Sequence, residues 1–472
     1  MLFNSIDFIL FFSIFFLVYL KLGYKNQNIL LFLAGIVFYS FWNFKMVFLL
    51  LFCILFNFYT GINLNKISNG STRRIFFKLT ILVNLFILVV FKYAVFSVRS
   101  LNDILNVLSV KKEIPVFEIL LPVGISFYTF HNISYIYDVY KKKIQPTFNL
   151  ITYSVYDLFF PLLLAGPIER ADKLIPQIEQ KRVLSWNKFK GGLLLFAWGI
   201  FKKVVIADNL APFVNKSLDP SLDMPNGLVY FVAIAFAFQI YADFSGYTDA
   251  ARGMAKMIGF ELSLNFNIPF MARNPIDFWR RWHISLSTWL RDYVYIPLGG
   301  NRYGFFRQNV NLMLVWILGG LWHGATYGYM LWGAYCGFQI VIYNVLNRFL
   351  FRKYKDFFES IDSFLKPIGI LFTFFLFAYG ILLFRVENYF HLLRLIKNLD
   401  GFYYEPILFI KLIYFLLPIL IVESVQIYHR YTDGLVLQKV NRFAFSFIVV
   451  FFFVQFGLSA VFEKYEFFYF QF

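Results

Sequence analysis

The sequence predicts an all-α, polytopic membrane protein. Three observations carry that expectation: an apolar composition, a succession of apolar runs of membrane length, and basic loops that alternate with the runs. Of the 472 residues, 60% are hydrophobic and 15% charged, and the mean hydropathy is +0.63. Soluble globular chains carry roughly 45–50% apolar and about 25% charged residues, so water alone cannot solvate this surface. Disorder is excluded, since it requires low hydrophobicity and high charge. An extracellular disulfide scaffold is excluded too, because Cys53 and Cys336 are the only cysteines. The 44 Lys and Arg against 27 Asp and Glu leave a net charge of +17. In a soluble protein that excess would suggest nucleic acid. In a membrane protein it belongs to the cytoplasmic loops, so membrane lipid is the expected partner and nucleic acid is not.

A spanning helix needs about 20 mostly apolar residues. The first such run, Leu2–Leu20, lacks a basic leader and a small-residue cleavage site, and reads as a retained helix. Further spans are expected at Ile29–Asn43, Met46–Ile62, Ile75–Phe96, Phe117–Tyr137, Gly191–Ala207, Leu228–Ser245, Asn309–Trp322, Gly328–Leu346, Phe364–Phe384, Ile407–Tyr428 and Ala444–Val461. Basic residues concentrate at Lys141–Lys143, Glu169–Lys190, Asp249–Gln308 and Arg348–Lys366, whereas Asp208–Gly227 is acidic. With the N-terminus outside and one crossing per run, these basic loops fall inside and the acidic loop outside. That parity holds only if the short apolar run Ile151–Gly166, interrupted by Pro161, does not cross. It then forms a re-entrant element, and such backbone at membrane depth lines a protein-covered or wet cavity. The basic Lys92–Lys112 loop on the outside and the Lys202–Lys203 pair within a span go against the pattern. About 11 to 12 crossings are expected, in one integral-membrane domain over residues 1–472, without the internal repeat of many transporters.

Polar groups that survive inside such a chain mark function, and here they cluster between Gln239 and Gly324. Over Ile276–Ile296, at about 100° per residue, Trp279, Trp282, Leu286, Trp289, Leu290 and Tyr293 form one stripe, with Arg280, Arg281 and Arg291 elsewhere. The pattern predicts an amphipathic interfacial helix with His283 at the border of its apolar face, either incidental or functional. In Gly319-Gly320-Leu321-Trp322-His323-Gly324, the glycines permit close approach around His323. A histidine in low dielectric stays neutral and can accept a proton; it serves a general base or a packing seam equally well. Asp243 is expected in an ion pair with Arg252 or Arg280, and His131 in packing or a cavity wall. His391 and His429 carry no signal. No spacing resembles a metal site, a phosphate loop or a nucleophile elbow.

These residues resemble the membrane-bound O-acyltransferase family, and its alginate O-acetyltransferase-like bacterial branch in particular. The resemblance runs through LPVGISFYTFHNISYIYDVY at Leu121–Tyr140, LAGPIER at Leu164–Arg170, GIFKKVVIADNLA at Gly199–Ala211, the long block Gln239–Arg302, and GGLWHGATYGYMLWG at Gly319–Gly333. It implies a ring of about 11–12 tilted transmembrane helices around a thin core, with re-entrant and interfacial helices. It implies acyl transfer to a hydroxyl, with His323 and His283 as the catalytic residues and no metal or bound cofactor. The donor is a cytoplasmic acyl thioester, acetyl-CoA or an acyl carrier protein. The acceptor is an extracytoplasmic polysaccharide or a periplasmic relay acetyltransferase acting as partner, at a bacterial inner membrane. Two alternatives stay open: D-alanyl transfer in teichoic acid modification, and a polysaccharide or lipid transporter that does no chemistry.

Overall fold

A computed structural model describes residues 1–110, 113–164, 166–430 and 440–461. Among them helices are the only regular elements. The chain divides into two compact units, Met1–Phe189 with Met254–Leu262, and Lys190–Gly253 with Ser263–Phe472.

The first unit contains α1 (Ile6–Lys21), α2 (Tyr24–Ser40), α3 (Phe44–Lys66), α4 (Gly70–Val107), α5 (Ile125–Tyr140), α6 (Leu150–Leu158) and α7 (Ala171–Glu179). Short polar side chains start several of them. Ser5, Asn43, Asn69 and Asn149 each accept a main-chain N–H of the first turn, which satisfies a donor the helix itself leaves open. Rings of α1 and α2 pack with Phe160: Phe15 meets it edge-on at 5.2 Å, Phe11 at 5.5 Å, and Phe38 lies at 5.9 Å. Part of the phenylalanine excess thus fills core. Between α3 and α4, Asn57 and Asn84 exchange amide hydrogen bonds of 3.0 and 2.8 Å.

The segment expected to dip is compatible with that expectation. Its helix α6 has nine residues, a rise of about 14 Å, under half the roughly 30 Å hydrocarbon core. Turns follow at Phe160–Leu164, and the described residues of 151–166 are buried apart from Ile151. The span expected at Phe117–Tyr137 needs correction. Residues 113–122 are not helical, and α5 begins only after Gly124, whose φ is +76°. Pro115 and Pro122 withhold main-chain N–H groups there. All of α5 is buried except Tyr137 and Tyr140.

The second unit contains α8 (Trp186–Phe201, from Lys190 onward), α9 (Asp208–Ser217), most of α10 (Leu228–Met257), α11 (Pro275–Trp279), α12 (Ile284–Leu290), α13 (Gly304–His323), α14 (Tyr327–Leu346), α15 (Lys355–Ser360), α16 (Asp362–Ile381), α17 (Tyr389–Lys397), α18 (Pro406–Tyr428) and α19 (Arg442–Ser459). Helices α8 and α10 touch through glycines: a Cβ on Gly199 would lie 2.4 Å from the Gly246 carbonyl oxygen. Between α8 and α9, Lys202–Ala207 forms a π-helical turn. Its two lysines, which the span pattern could not place, are buried and paired. Lys202 binds Asp249 at 2.7 Å and Ser245 at 2.9 Å. Lys203 bridges Asp243 at 2.7 Å and Asp208 at 2.8 Å. Asp243 thus has the buried ion pair expected of it, with Lys203 as a partner. Consecutive side chains on a helix point in different directions, so the two lysines reach different acids.

Six helices among the described residues are long and apolar enough to cross a membrane: α3, α4, α10, α16 with its extension to Arg385, α18 and α19. At three other expected spans the helices α1, α2 and α8 have 16, 17 and 16 residues, and α13 carries Arg307, Gln308 and Asn309 in its first turns.

Candidate active site

Of the polar stretch Gln239–Gly324, all but Met254–Leu262 lies in the second unit. Helices α13 and α14 form a hairpin whose backbones meet at glycines. A Cβ on Gly320 would lie 2.3 Å from the Tyr329 carbonyl oxygen and 2.8 Å from Gly333 Cα. His323 is the last residue of α13, and Gly324 ends the helix in an extended conformation. Thr326 then caps α14. The hairpin fixes His323 at its turn, 6% exposed. Its imidazole stands among Trp322 at 5.0 Å, Trp332 at 5.0 Å and Phe384 at 5.2 Å, the Trp332 ring being edge-on at 87°.

His283 arrives differently. The stripe across Ile276–Ile296 is not one amphipathic helix. It breaks into α11 and α12, and His283 sits at the break with φ +44° and ψ +53°. A non-glycine residue occupies that left-handed region only when its surroundings hold it there. Here they do: Ile284 N–H donates to the Asn265 carbonyl at 3.0 Å, and Asn267 N–H to that of Arg281 at 2.9 Å. The expected membrane-facing stripe is consequently core, with Trp279, Trp282, Leu286, Trp289 and Leu290 all buried. Arg280 and Arg291 stay exposed.

His283 is 2% exposed. Its ring meets Phe244 edge-on at 4.7 Å and lies 5.7 Å from Trp322. Burial pushes its imidazole down from 6.5 to about 3, because a charge there would lack water. His283 and His323 line one cavity of about 10 Å³, walled chiefly by Trp279, Trp282, Trp316 and Trp332. That is roughly the space of one water. Two imidazoles thus line one small, aromatic-walled space.

Elsewhere in the second unit, Tyr241 donates a hydrogen bond to Glu423 of α18, and both residues line a separate pocket with Lys202 and Asp249. The other histidines lie elsewhere. His131 belongs to the first unit, where its Nδ1 is 3.8 Å from Asp157; Asn132 donates to the same carboxylate at 3.0 Å. His391 is buried in α17, and His429 caps α18. Among the described residues no group of three or more His, Cys, Asp or Glu could hold a metal. Sequence reasoning did not single out Asn265, which touches His283. A signal existed: an amide set between Leu264 and Phe266 is costly unless it binds something.

Residues 36–384 match the model of the membrane-bound O-acyltransferase family. A "probable alginate O-acetylase" of Pseudomonas aeruginosa is 40% identical over 394 residues, 82% of this chain and 72% of that protein. A peptidoglycan O-acetyltransferase of Helicobacter pylori is 33% identical, covering 78% and 73%. A teichoic acid D-alanyltransferase of Bacillus subtilis is 28% identical, covering 57% and 70%. A polytopic helical chain with two histidines in one aromatic chamber, matched over most of its length in this way, belongs to the membrane-bound O-acyltransferase family and is an O-acyltransferase.

Proposed function

We propose that the chain moves an acyl group, in the first instance acetyl, from a cytoplasmic thioester to an extracytoplasmic hydroxyl. The donor is acetyl-CoA or an acyl carrier protein. The acceptor is a polysaccharide, or a periplasmic relay acetyltransferase that serves as partner. The site is the whole-chain integral domain of an inner-membrane protein. The observation that carries the reading is the shared cavity of His323 and His283.

His323 acts as general base. It takes the proton of the acceptor hydroxyl while that oxygen attacks the thioester carbonyl. The carbon–sulfur bond then breaks, and the imidazolium returns its proton to the departing thiolate. His283 positions the donor or polarises its carbonyl. The tryptophan walls exclude water, which would otherwise hydrolyse the thioester. Acetyl transfer is favoured over D-alanyl transfer by the higher identity and coverage of the O-acetylating relatives. Purified protein given radiolabelled acetyl-CoA and an exopolysaccharide acceptor is expected to leave label on the acceptor. A protein that moves polysaccharide across vesicles and leaves no label would be a transporter instead.

A further inference from the structure

Asn265 is wholly buried, and its side-chain oxygen gathers three neighbours. The Ser285 main-chain N–H donates to it at 3.1 Å and the Ser285 hydroxyl at 2.9 Å. His283 Nδ1 lies 3.2 Å from the same oxygen. A main-chain N–H can only donate, so the atom it faces must be the amide oxygen and not the amide nitrogen. An amide oxygen can only accept. His283 Nδ1 therefore carries a proton. In a neutral imidazole the lone pair is then on Nε2, on the side of the ring away from Asn265. Asn265 itself does not line the cavity, whereas His283 does.

We propose that Asn265 is a positioning residue that fixes His283 as its Nδ1–H tautomer and turns an Nε2 lone pair toward the cavity shared with His323. The burial of His283 favours the neutral ring that this requires. The tautomer follows from geometry alone; only its catalytic consequence rests on the acyl-transfer reading. That consequence is specific. An Nε2 lone pair cannot donate to an acyl carbonyl, so of the two roles open to His283, polarising the carbonyl falls and positioning stands. It accepts instead, from an N–H or O–H of the bound substrates, the amide N–H of a thioester arm or the acceptor hydroxyl. His283 thus orients a substrate, and the proton transfer is left to His323. The same main-chain contacts that hold His283 at φ +44° set the ring against Asn265, so conformation and tautomer are chosen together.

The test is nitrogen NMR on protein labelled with ¹⁵N-imidazole histidine in lipid nanodiscs. Only five histidines contribute, and His283→Asn identifies the signal. The wild type is expected to show His283 protonated on Nδ1 and bare on Nε2. A predominant Nε2–H form overturns the proposal, and this measurement needs no variant of Asn265 to fold. Asn265→Ala is expected to shift His283 toward Nε2–H and to lower transfer by on the order of a hundredfold. Asn265→Asp retains the accepting oxygen and is expected to keep the proton on Nδ1. An unchanged tautomer in Asn265→Ala overturns the role given to Asn265. A wild type with the Nδ1–H form but no acyl transfer would support the tautomer and defeat the acyl-transfer reading, so the two failures are separable.

Discussion

At the scale of single residues, the second unit keeps its charges in the interior by pairing them. Lys203 serves two carboxylates at once, Asp208 and Asp243. Removing the cation leaves both acids buried without it, a change that costs about 3–5 kcal/mol when one partner of a buried pair is lost. Lys203→Met is expected to lower the yield and melting temperature of detergent-solubilised protein, and adding Asp208→Asn and Asp243→Asn is expected to restore much of both. A triple variant no better than the single would show that the pairing is not what holds this turn. His283 makes a pH-dependent contribution of known sign. Its folded imidazole is held at about 3, against an ordinary value of 6.5. The unfolded chain therefore binds the proton first, and stability is lost as pH falls from 6.5 toward 3. His283→Asn is expected to flatten this part of the melting-temperature profile, and an unchanged slope would contradict the burial argument.

At the scale of elements, much was legible because apolar runs are a direct signal of span position. α3, α4, α10, α14, α16, α18 and α19 each coincide with an expected span within a few residues at most of their ends, although α4 and α10 run on well beyond. What was not legible depended on contacts distant in sequence. The periodic stripe over Ile276–Ile296 looked like one helix, and no Gly or Pro interrupts it after Ile276 and before Ile296. It breaks because Asn265, 18 residues before His283, captures the chain there. Likewise nothing local matched Lys202 to Asp249, 47 residues on, or Lys203 to Asp243; that required the packing of α8 against α10. His323 was legible as a candidate from its glycine-flanked motif, but its shared cavity with His283 was not, since the hairpin of α13 and α14 creates it. The glycine contact of that hairpin is testable. Gly320→Ala places a methyl against main-chain atoms at 2.3 and 2.8 Å, and overpacking of this kind costs about 1–3 kcal/mol. It is expected to lower the melting temperature and transfer together. Gly23→Ala, with nothing within 4 Å, is the control and is expected to be nearly neutral. Equal behaviour of the two would remove the close approach as the device that places His323.

At the scale of the whole molecule, the charge pattern that first indicated a membrane also predicts an orientation in it. The loop with Lys141–Lys143 is expected inside and the loop with Asp219 and Asp223 outside. Both native cysteines are buried, so introduced ones can report. Asp223→Cys and Lys142→Cys both replace exposed residues. In intact cells a membrane-impermeant maleimide is expected to label the first and spare the second, and the reverse result would invert the topology. Orientation matters because the proposed reaction takes its acyl group from one side and gives it to the other, with His323 where the two meet. The most direct measurement of that claim is the rate of acetyl transfer to acceptor by His323→Ala in proteoliposomes, beside its melting temperature. A loss of about a hundred- to ten-thousandfold is expected in a protein that melts like the wild type; a normally folded variant that keeps more than about a twentieth of the wild-type rate would contradict the role of His323 as general base.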